Sequence, residues 1–420
     1  MRFIALAGTF CAVAGAQAPA PPAFYKDVLP ILQTHCQECH RPGEIAPMAL
    51  LNYEQTRPWA KAIKANTLAG KMPPWPADPH IGKFANDRSL TRAELDTLSA
   101  WADSGAAEGR ASDAPPPRTW VDGWNIPKPD VVLTMPEAFH VPAKGTIEYQ
   151  HVIVPTGFTE DKWIQAVELR PSNRAAVHHA IVFLREPGAP WLAGKPAGVV
   201  FGPANAQEAL FNVGGGGLEM LTTYTPGVAP DVWQPGQAQL VKAGTDLVFQ
   251  IHYTANGTAG TDQTSIGLVF AKEPPKERIV SALAAGSGFR IPAGDSNYSA
   301  SATMTVRTPM TLVNLLPHMH LRGKAFQYEV IYPDGRTETI LKVDKWSLHW
   351  QLSYTLAEPL PLPVGTRVKV TAWWDNSANN PANPDPTVDV NWGAQSWDEM
   401  LSGFMNVAVD PKTPIRGAIR

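Results

Sequence analysis

Residues 315–324, Leu-Leu-Pro-His-Met-His-Leu-Arg-Gly-Lys, set His318 and His320 one residue apart on an apolar background. In an extended strand alternate side chains share a face, so both imidazoles point one way while Leu315, Met319 and Leu321 point the other. That is a two-toothed metal clamp on a hydrophobic wall. Imidazole suits copper, zinc, iron and nickel alike, so the pair leaves the metal open and requires a third ligand. Two further strands carry histidines in similar company. Residues 177–184 open with adjacent His178 and His179 on an apolar run. In 247–253 the apolar face is Leu247, Phe249, Ile251 and Tyr253, which leaves Gln250 and His252 together on the other. Neighbours on a regular strand face opposite ways, so His178 and His179 can aim at one ion only through a bulge or a strand-end twist.

A second chemistry sits near the N-terminus. Cys36-Gln37-Glu38-Cys39-His40 is the C-x-x-C-H signature of covalent c-type haem attachment, in which both thiols bond the porphyrin and the histidine ligates iron. A redox dithiol or half a zinc site would need a thioredoxin-like context or a second cysteine pair, and the sequence offers neither. Met72, in the stiff loop Gly70-Lys71-Met72-Pro73-Pro74-Trp75, is the expected distal iron ligand, with Met48 and His80 as rivals. His/Met ligation would make the iron an electron carrier. Helical spacing surrounds the motif, over 25–34 and again over 90–104, where Thr91 caps and Gly105 stops the helix.

The elements that must position these groups follow from the rest of the chain. With 420 residues and 44% hydrophobic content there is material for two or three domains. Only 17% of residues are charged and the net charge is −3, with no basic run, which argues against a nucleic-acid partner. Met1-Arg2 followed by an apolar run over 3–15 reads as a signal peptide over 1–16, cut after Ala14-Gly15-Ala16. The protein is therefore expected to be exported, periplasmic or secreted. No later stretch is long and apolar enough to span a membrane. Of the three cysteines, Cys11 leaves with the signal, so no structural disulfide is expected.

Residues 111–118, with Asp113-Ala114-Pro115-Pro116-Pro117, read as an extended, semi-rigid linker. Beyond it the helical period gives way to short alternating strands over 148–154, 163–169, 177–184, 246–253, 304–306, 326–331 and 367–374, as in an all-β sandwich or barrel. Pro333-Asp334-Gly335 is a hairpin turn by composition. A weak internal echo, 243–253 against 364–374, suggests two related sandwiches joined near 272–276.

The histidine strands, taken together, resemble the copper type II, ascorbate-dependent monooxygenases, the family of peptidylglycine hydroxylating monooxygenase and dopamine β-monooxygenase. The family's His-His pair matches His178 and His179, its Gln-x-His-Tyr strand matches Gln250, His252 and Tyr253, its His-x-His matches His318 and His320, and its Asp-Glu-Met matches Asp398, Glu399 and Met400. The resemblance covers about 146–409. It implies two mononuclear copper sites. His178, His179 and His252 would form the electron-transfer site; His318, His320 and Met400 would form the catalytic site that activates oxygen, with Gln250 in support. A thioether ligand favours Cu(I), in keeping with that role. The implied organisation is a small all-α cytochrome c domain (24–109), a Pro-rich linker (110–126) and two all-β, jelly-roll-like sandwiches (127–275 and 276–410).

The chain also departs from the family. The peptide hydroxylases place an arginine, an asparagine and a tyrosine where this sequence has Leu316, Ser402 and Phe404, so the grip on a substrate carboxylate is gone. The disulfides of the animal enzymes have no cysteines to form them. The expectation is thus a copper-dependent monooxygenase that hydroxylates a small, apolar molecule with O2. Its cofactors would be two copper ions and one covalent haem, and its electrons would come from an ascorbate-like reductant or a redox protein, relayed by the haem. The rival readings are a periplasmic copper and electron carrier without catalysis, and an oxidase on the same scaffold.

Overall fold

The computed structural model describes residues 20–121, 123–202, 219–393 and 395–414. The expected signal peptide, with Cys11, lies outside them. Two sandwiches are built from three sheets. A five-stranded sheet orders Val200–Phe201, Gln150–Pro155, Asp246–Tyr253, Val177–Arg185 and Glu219–Tyr224. A four-stranded sheet orders Tyr298–Thr305, Arg367–Trp374, Gly323–Ile331 and Thr337–Val343. Both lie against one nine-stranded sheet that runs through the whole molecule. The expected strands are present because their alternation matches the pleat. In Arg367–Trp374, for example, Val368, Val370, Ala372 and Trp374 are all fully buried. The polar strand Tyr298–Thr305, read as only three residues from sequence, extends through serines and alanines that carry little hydrophobic signal.

The structure corrects the expected fold class in two respects. The chain is predominantly β, and the N-terminal segment does not stand apart as an all-α domain. Its helices are short, Leu29–His35, Tyr53–Thr56, Ala60–Leu68 and Arg92–Asp103, the last being the longest at 12 residues. They enclose a small core around Phe24, Leu32, Leu98 and Trp101. So little apolar area stabilises weakly on its own, and the segment is fastened to the β body instead. Ala77 bridges to Val343 and Phe84 to Leu356; Trp75 and Phe84 pack on Tyr354; Glu44 pairs with Arg174. The expected linker is fastened too, since Gln33 donates to the Pro116 carbonyl and Arg118 donates to the Gln33 carbonyl.

The second correction concerns the sandwiches, which are not independent. Gln237–Val241 and Glu277–Gly286 pair in parallel over Gln237↔Glu277 and Ala238↔Arg278 and so join the two halves into a single sheet. Periodicity is local and cannot say which strand continues across a boundary. The internal echo does have a structural counterpart. Asp246–Tyr253 and Arg367–Trp374 are both interior strands of their sheets, each entered through a glycine with positive φ, Gly244 and Gly365.

The halves meet face to face. Ile153, Ile181, Phe183 and Val248, on the outer face of the five-stranded sheet, pack with Phe404, Leu283 and Leu316 of the nine-stranded sheet. Gly403 lets the second of these faces lie close to its own sandwich, because a Cβ there would stand 2.5 Å from Val370 Cγ1. Beside this interface Thr222 donates to Asp231 at 2.7 Å, and burial pushes the Asp231 carboxyl up to about 6. Between pH 4 and 6 the unfolded chain has released this proton while the folded chain retains it. The contribution to stability is therefore present below about pH 4 and lost as pH rises through about 6. Replacing Asp231 with Asn should flatten the fall in denaturation midpoint across that window, measured by chemical unfolding at a series of pH values; an unchanged slope would assign it to other groups.

Candidate metal centre

Val177–Arg185 runs antiparallel to Asp246–Tyr253, and the register slips at one point. His252 faces His179, but Tyr253 faces Val177. His178 is the residue left over, a β-bulge, and this is how adjacent histidines come to aim at one place. One ring nitrogen from each of His178, His179 and His252 lies within 4.8 Å of the others. Their ring centroids are 5.3, 5.2 and 5.0 Å apart. Both nitrogens of His178 are buried without a hydrogen-bond partner. His179 Nε2 lies 3.2 Å from the Tyr149 hydroxyl and 3.3 Å from His252 Nδ1. Burial, reinforced by the neighbouring imidazoles, brings His178 down to about 3, and burial followed by His318 brings His252 down to about 4. His179 is held well below the usual range for the same reasons. Neutral imidazoles are what a metal ion requires, and the His178 nitrogens have no hydrogen bond to give up.

The second pair is built differently from expectation. The strand Met310–His318 stops at His318, so His320 lies past its end and is not placed by the pleat. It is placed by Glu399. That carboxylate is fully buried and accepts from His320 N at 2.9 Å, Arg322 N at 2.6 Å and Trp374 Nε1 at 2.8 Å. Burial pushes Glu399 up to about 7, against the pull of these donors. The His318 and His320 rings stand 5.2 Å apart, almost perpendicular at 87°. Leu315 and Met319 are fully buried behind them, as the alternation implies. Each ring uses Nδ1 for orientation, His318 to Gln351 Oε1 at 2.5 Å and His320 to the Asp398 carbonyl at 3.3 Å. That leaves the Nε2 atoms for a metal, and His320 Nε2 is buried without a partner. Burial lowers both imidazoles, His318 to about 4.

Met400 enters through register. Leu316 faces Phe404 and His318 faces Ser402, where the ladder ends, and Met400 directly precedes the strand Leu401–Val409 that carries these partners. Met400 is buried, at 2% exposure. Were its sulfur to join the two imidazoles, that donor set would suit copper better than zinc or magnesium. Gln250 lies on the same strand face as His252, but its amide bonds His151 Nε2 at 3.1 Å. The two histidine sets belong to opposite walls of one interface. His179 and His318 ring centroids are 6.3 Å apart, and His318 is 6.1 Å from Phe404.

The haem residues lie in the helical segment. Cys36 and Cys39 are both free. Burial pushes Cys36 up to about 12 and raises Cys39, whereas a redox dithiol needs a stabilised thiolate. His40 Nδ1 lies 3.2 Å from the Met48 carbonyl, which fixes the ring and leaves Nε2 for iron. These groups fit a covalent haem. Met48 packs on the helical core, Met72 is half-buried and His80 is exposed. Tyr149, His151, Gln351 and His349 escaped sequence reasoning, the last two because they sit on a turn without periodicity. Glu399 was legible only as part of a motif.

Glu399→Ala would leave three buried donors without an acceptor, at a cost of roughly 3 kcal/mol or more. Metal analysis of the variant should find the His178/His179/His252 site still filled and the His318/His320 site empty. Equal occupancy of both would remove Glu399 from the account.

Among the described residues no helix is long and apolar enough to cross a membrane. No protein-family model matches the chain, and no curated protein matches it. Similar solved structures include the Gt strain of infectious bursal disease virus, at 8% identity and TM-score 0.21 over 69% of this chain and 72% of that one. They also include the VP2 subviral particle of the same virus, at 9% identity and TM-score 0.20 over 72% and 76%. Likeness at that level carries no argument about fold or function.

Proposed function

We propose that this protein is an exported, copper-dependent monooxygenase that receives its electrons through a covalently attached haem. The observation that carries the reading is the convergence of His178, His179 and His252, neutral, with His179 buried and the other two half-buried, opposite His318 and His320 across an apolar interface. The net reaction is R–H + O2 + 2e⁻ + 2H⁺ giving R–OH and water. Copper, held by His178, His179 and His252 on one wall and by His318, His320 and Met400 on the other, would supply one-electron redox chemistry and the activation of O2.

The chain's own groups prepare that chemistry. Gln351 and the Asp398 carbonyl orient His318 and His320 through Nδ1. Leu316 and Phe404, packed among Phe183, Trp191 and Met220, keep the interface dry. No guanidinium replaces the Leu316 side chain, and an unpaired buried carboxylate would cost several kcal/mol. A small, apolar substrate fits that wall better than a peptide acid. Gly227, with positive φ, brings its turn so close to Cys39 that a Cβ would stand 3.2 Å from the sulfur. In the same turn Thr225 donates to the Gln351 carbonyl at 3.0 Å, and Gln351 Oε1 reaches His318. A short run of packed groups thus joins the haem-binding thiol to an imidazole of the second site.

The test uses protein matured with c-type haem and loaded with copper. Under ¹⁸O2, with the haem and both coppers prereduced so that the two electrons are on the protein, and a panel of small alkylaromatic compounds supplied, one labelled oxygen atom should appear in an alcohol product. Haem oxidation should keep pace with it, and His178→Ala should slow both by tenfold or more. Peptidylglycine should not be hydroxylated. Copper binding without substrate-linked oxygen uptake would point to a carrier, and peroxide as the sole product to an oxidase.

A further inference from the structure

His349 lies on the turn between the strands Thr337–Val343 and Tyr354–Leu362, in the half of the chain that carries His318 and His320. Its ring nevertheless stands 5.7 Å from that of His178, in the other half, at an interplanar angle of 82°. With metal–nitrogen bonds of about 2 Å, a ring centroid sits roughly 3 Å from the ion, so two imidazoles on one ion have centroids roughly 5 to 6 Å apart. The pairs within the triad fall in this range at 5.0 to 5.3 Å. The His349–His178 pair falls in it too; the nitrogens that already lie within 4.8 Å of one another are those of His178, His179 and His252, so His349 completes the set by a swing of its exposed side chain. His179 and His318, at 6.3 Å, lie at its outer edge.

We infer that His349 is a fourth ligand of the His178/His179/His252 site, delivered across the interface from the opposite half. The inference rests on the reading of that triad as a copper site and adds a ligand to it. His178 has both ring nitrogens buried without a hydrogen-bond partner, so nothing in the protein competes with a metal for it on the side His349 approaches. The turn itself is braced. His349 N donates to Ser347 Oγ at 3.3 Å, and the Trp350 N donates to the Ser347 carbonyl at 3.0 Å. Two residues on, Gln351 orients His318. One five-residue turn therefore touches both histidine sets, and filling the first site fixes the residue that aims a ligand of the second. His349 is exposed, so the fourth bond closes the site from the solvent side and is the easiest to release.

The experiment titrates the haem-matured, copper-free protein with Cu(II) and follows the first site by affinity and by pulsed EPR, which counts coordinated imidazoles. The unaltered chain should show four. His349→Ala, an exposed substitution that should leave the melting temperature of the copper-free protein unchanged, should show three, with binding weakened tenfold to a hundredfold. His349→Gln, which keeps a polar side chain of similar reach, should behave like the alanine variant. An unchanged imidazole count and affinity in both variants would overturn the fourth ligand while leaving the triad intact. His178→Ala separates the two claims: if its loss does not alter the first Cu(II) site, the triad reading fails and His349 with it.

Discussion

Everything proposed for this molecule depends on two sheet faces being pressed together by apolar contact. Ile153, Ile181, Phe183 and Val248 on one side and Leu283, Leu316 and Phe404 on the other are drawn together because each face would otherwise expose a hydrophobic surface. The histidines occupy the same faces. His179 and Ile181 alternate on one strand, Val248 and His252 share the face of the next, and Leu316 and His318 share one across the interface. Docking the apolar residues therefore docks the imidazoles, and removes them from water in the same step. That desolvation lowers their proton affinity and makes them ready for a metal.

Apolar contact sets distance but not direction, and polar groups supply the direction. A bulge turns His178 beside His179. A buried carboxylate, Glu399, holds the backbone on both sides of the Leu321 peptide and so aims His320 where no strand does. A carboxylate at 0% exposure is costly unless its acceptors are filled, and here three N–H donors fill them. The N-terminal helical segment belongs to the same arrangement, because Cys39, Gly227, Thr225 and Gln351 pack in series toward His318.

Much of this was legible in residues 146–409 because strands declare their faces. Alternation separated Gln250 and His252 from Leu247, Phe249, Ile251 and Tyr253, and the adjacency of His178 and His179 itself called for the bulge that is present. What local periodicity could not supply was long-range pairing. The two-residue parallel link between Gln237–Val241 and Glu277–Gly286 gives no sequence signal, so two separate sandwiches were expected where one sheet runs through. Helical spacing around Cys36 was real, but it could not reveal that Ala77 and Phe84 leave the helices to bridge to Val343 and Leu356. His349 and Gln351 sit in a turn, where side-chain direction follows from tertiary contact alone. His320 was assigned to the strand by its spacing from His318, and the strand ends one step too early for that.

The central claim is that two ions sit on facing walls of this interface, within one chain that also binds haem. Crystals of copper-loaded, haem-matured protein, measured with X-rays on either side of the copper and iron absorption edges, test it directly. Two copper peaks should appear, one among His178, His179 and His252 and one between His318 and His320 beside Met400, with a single iron peak at His40 Nε2. Copper density elsewhere, or at one wall only with Met400 turned away from both imidazoles, would contradict the account.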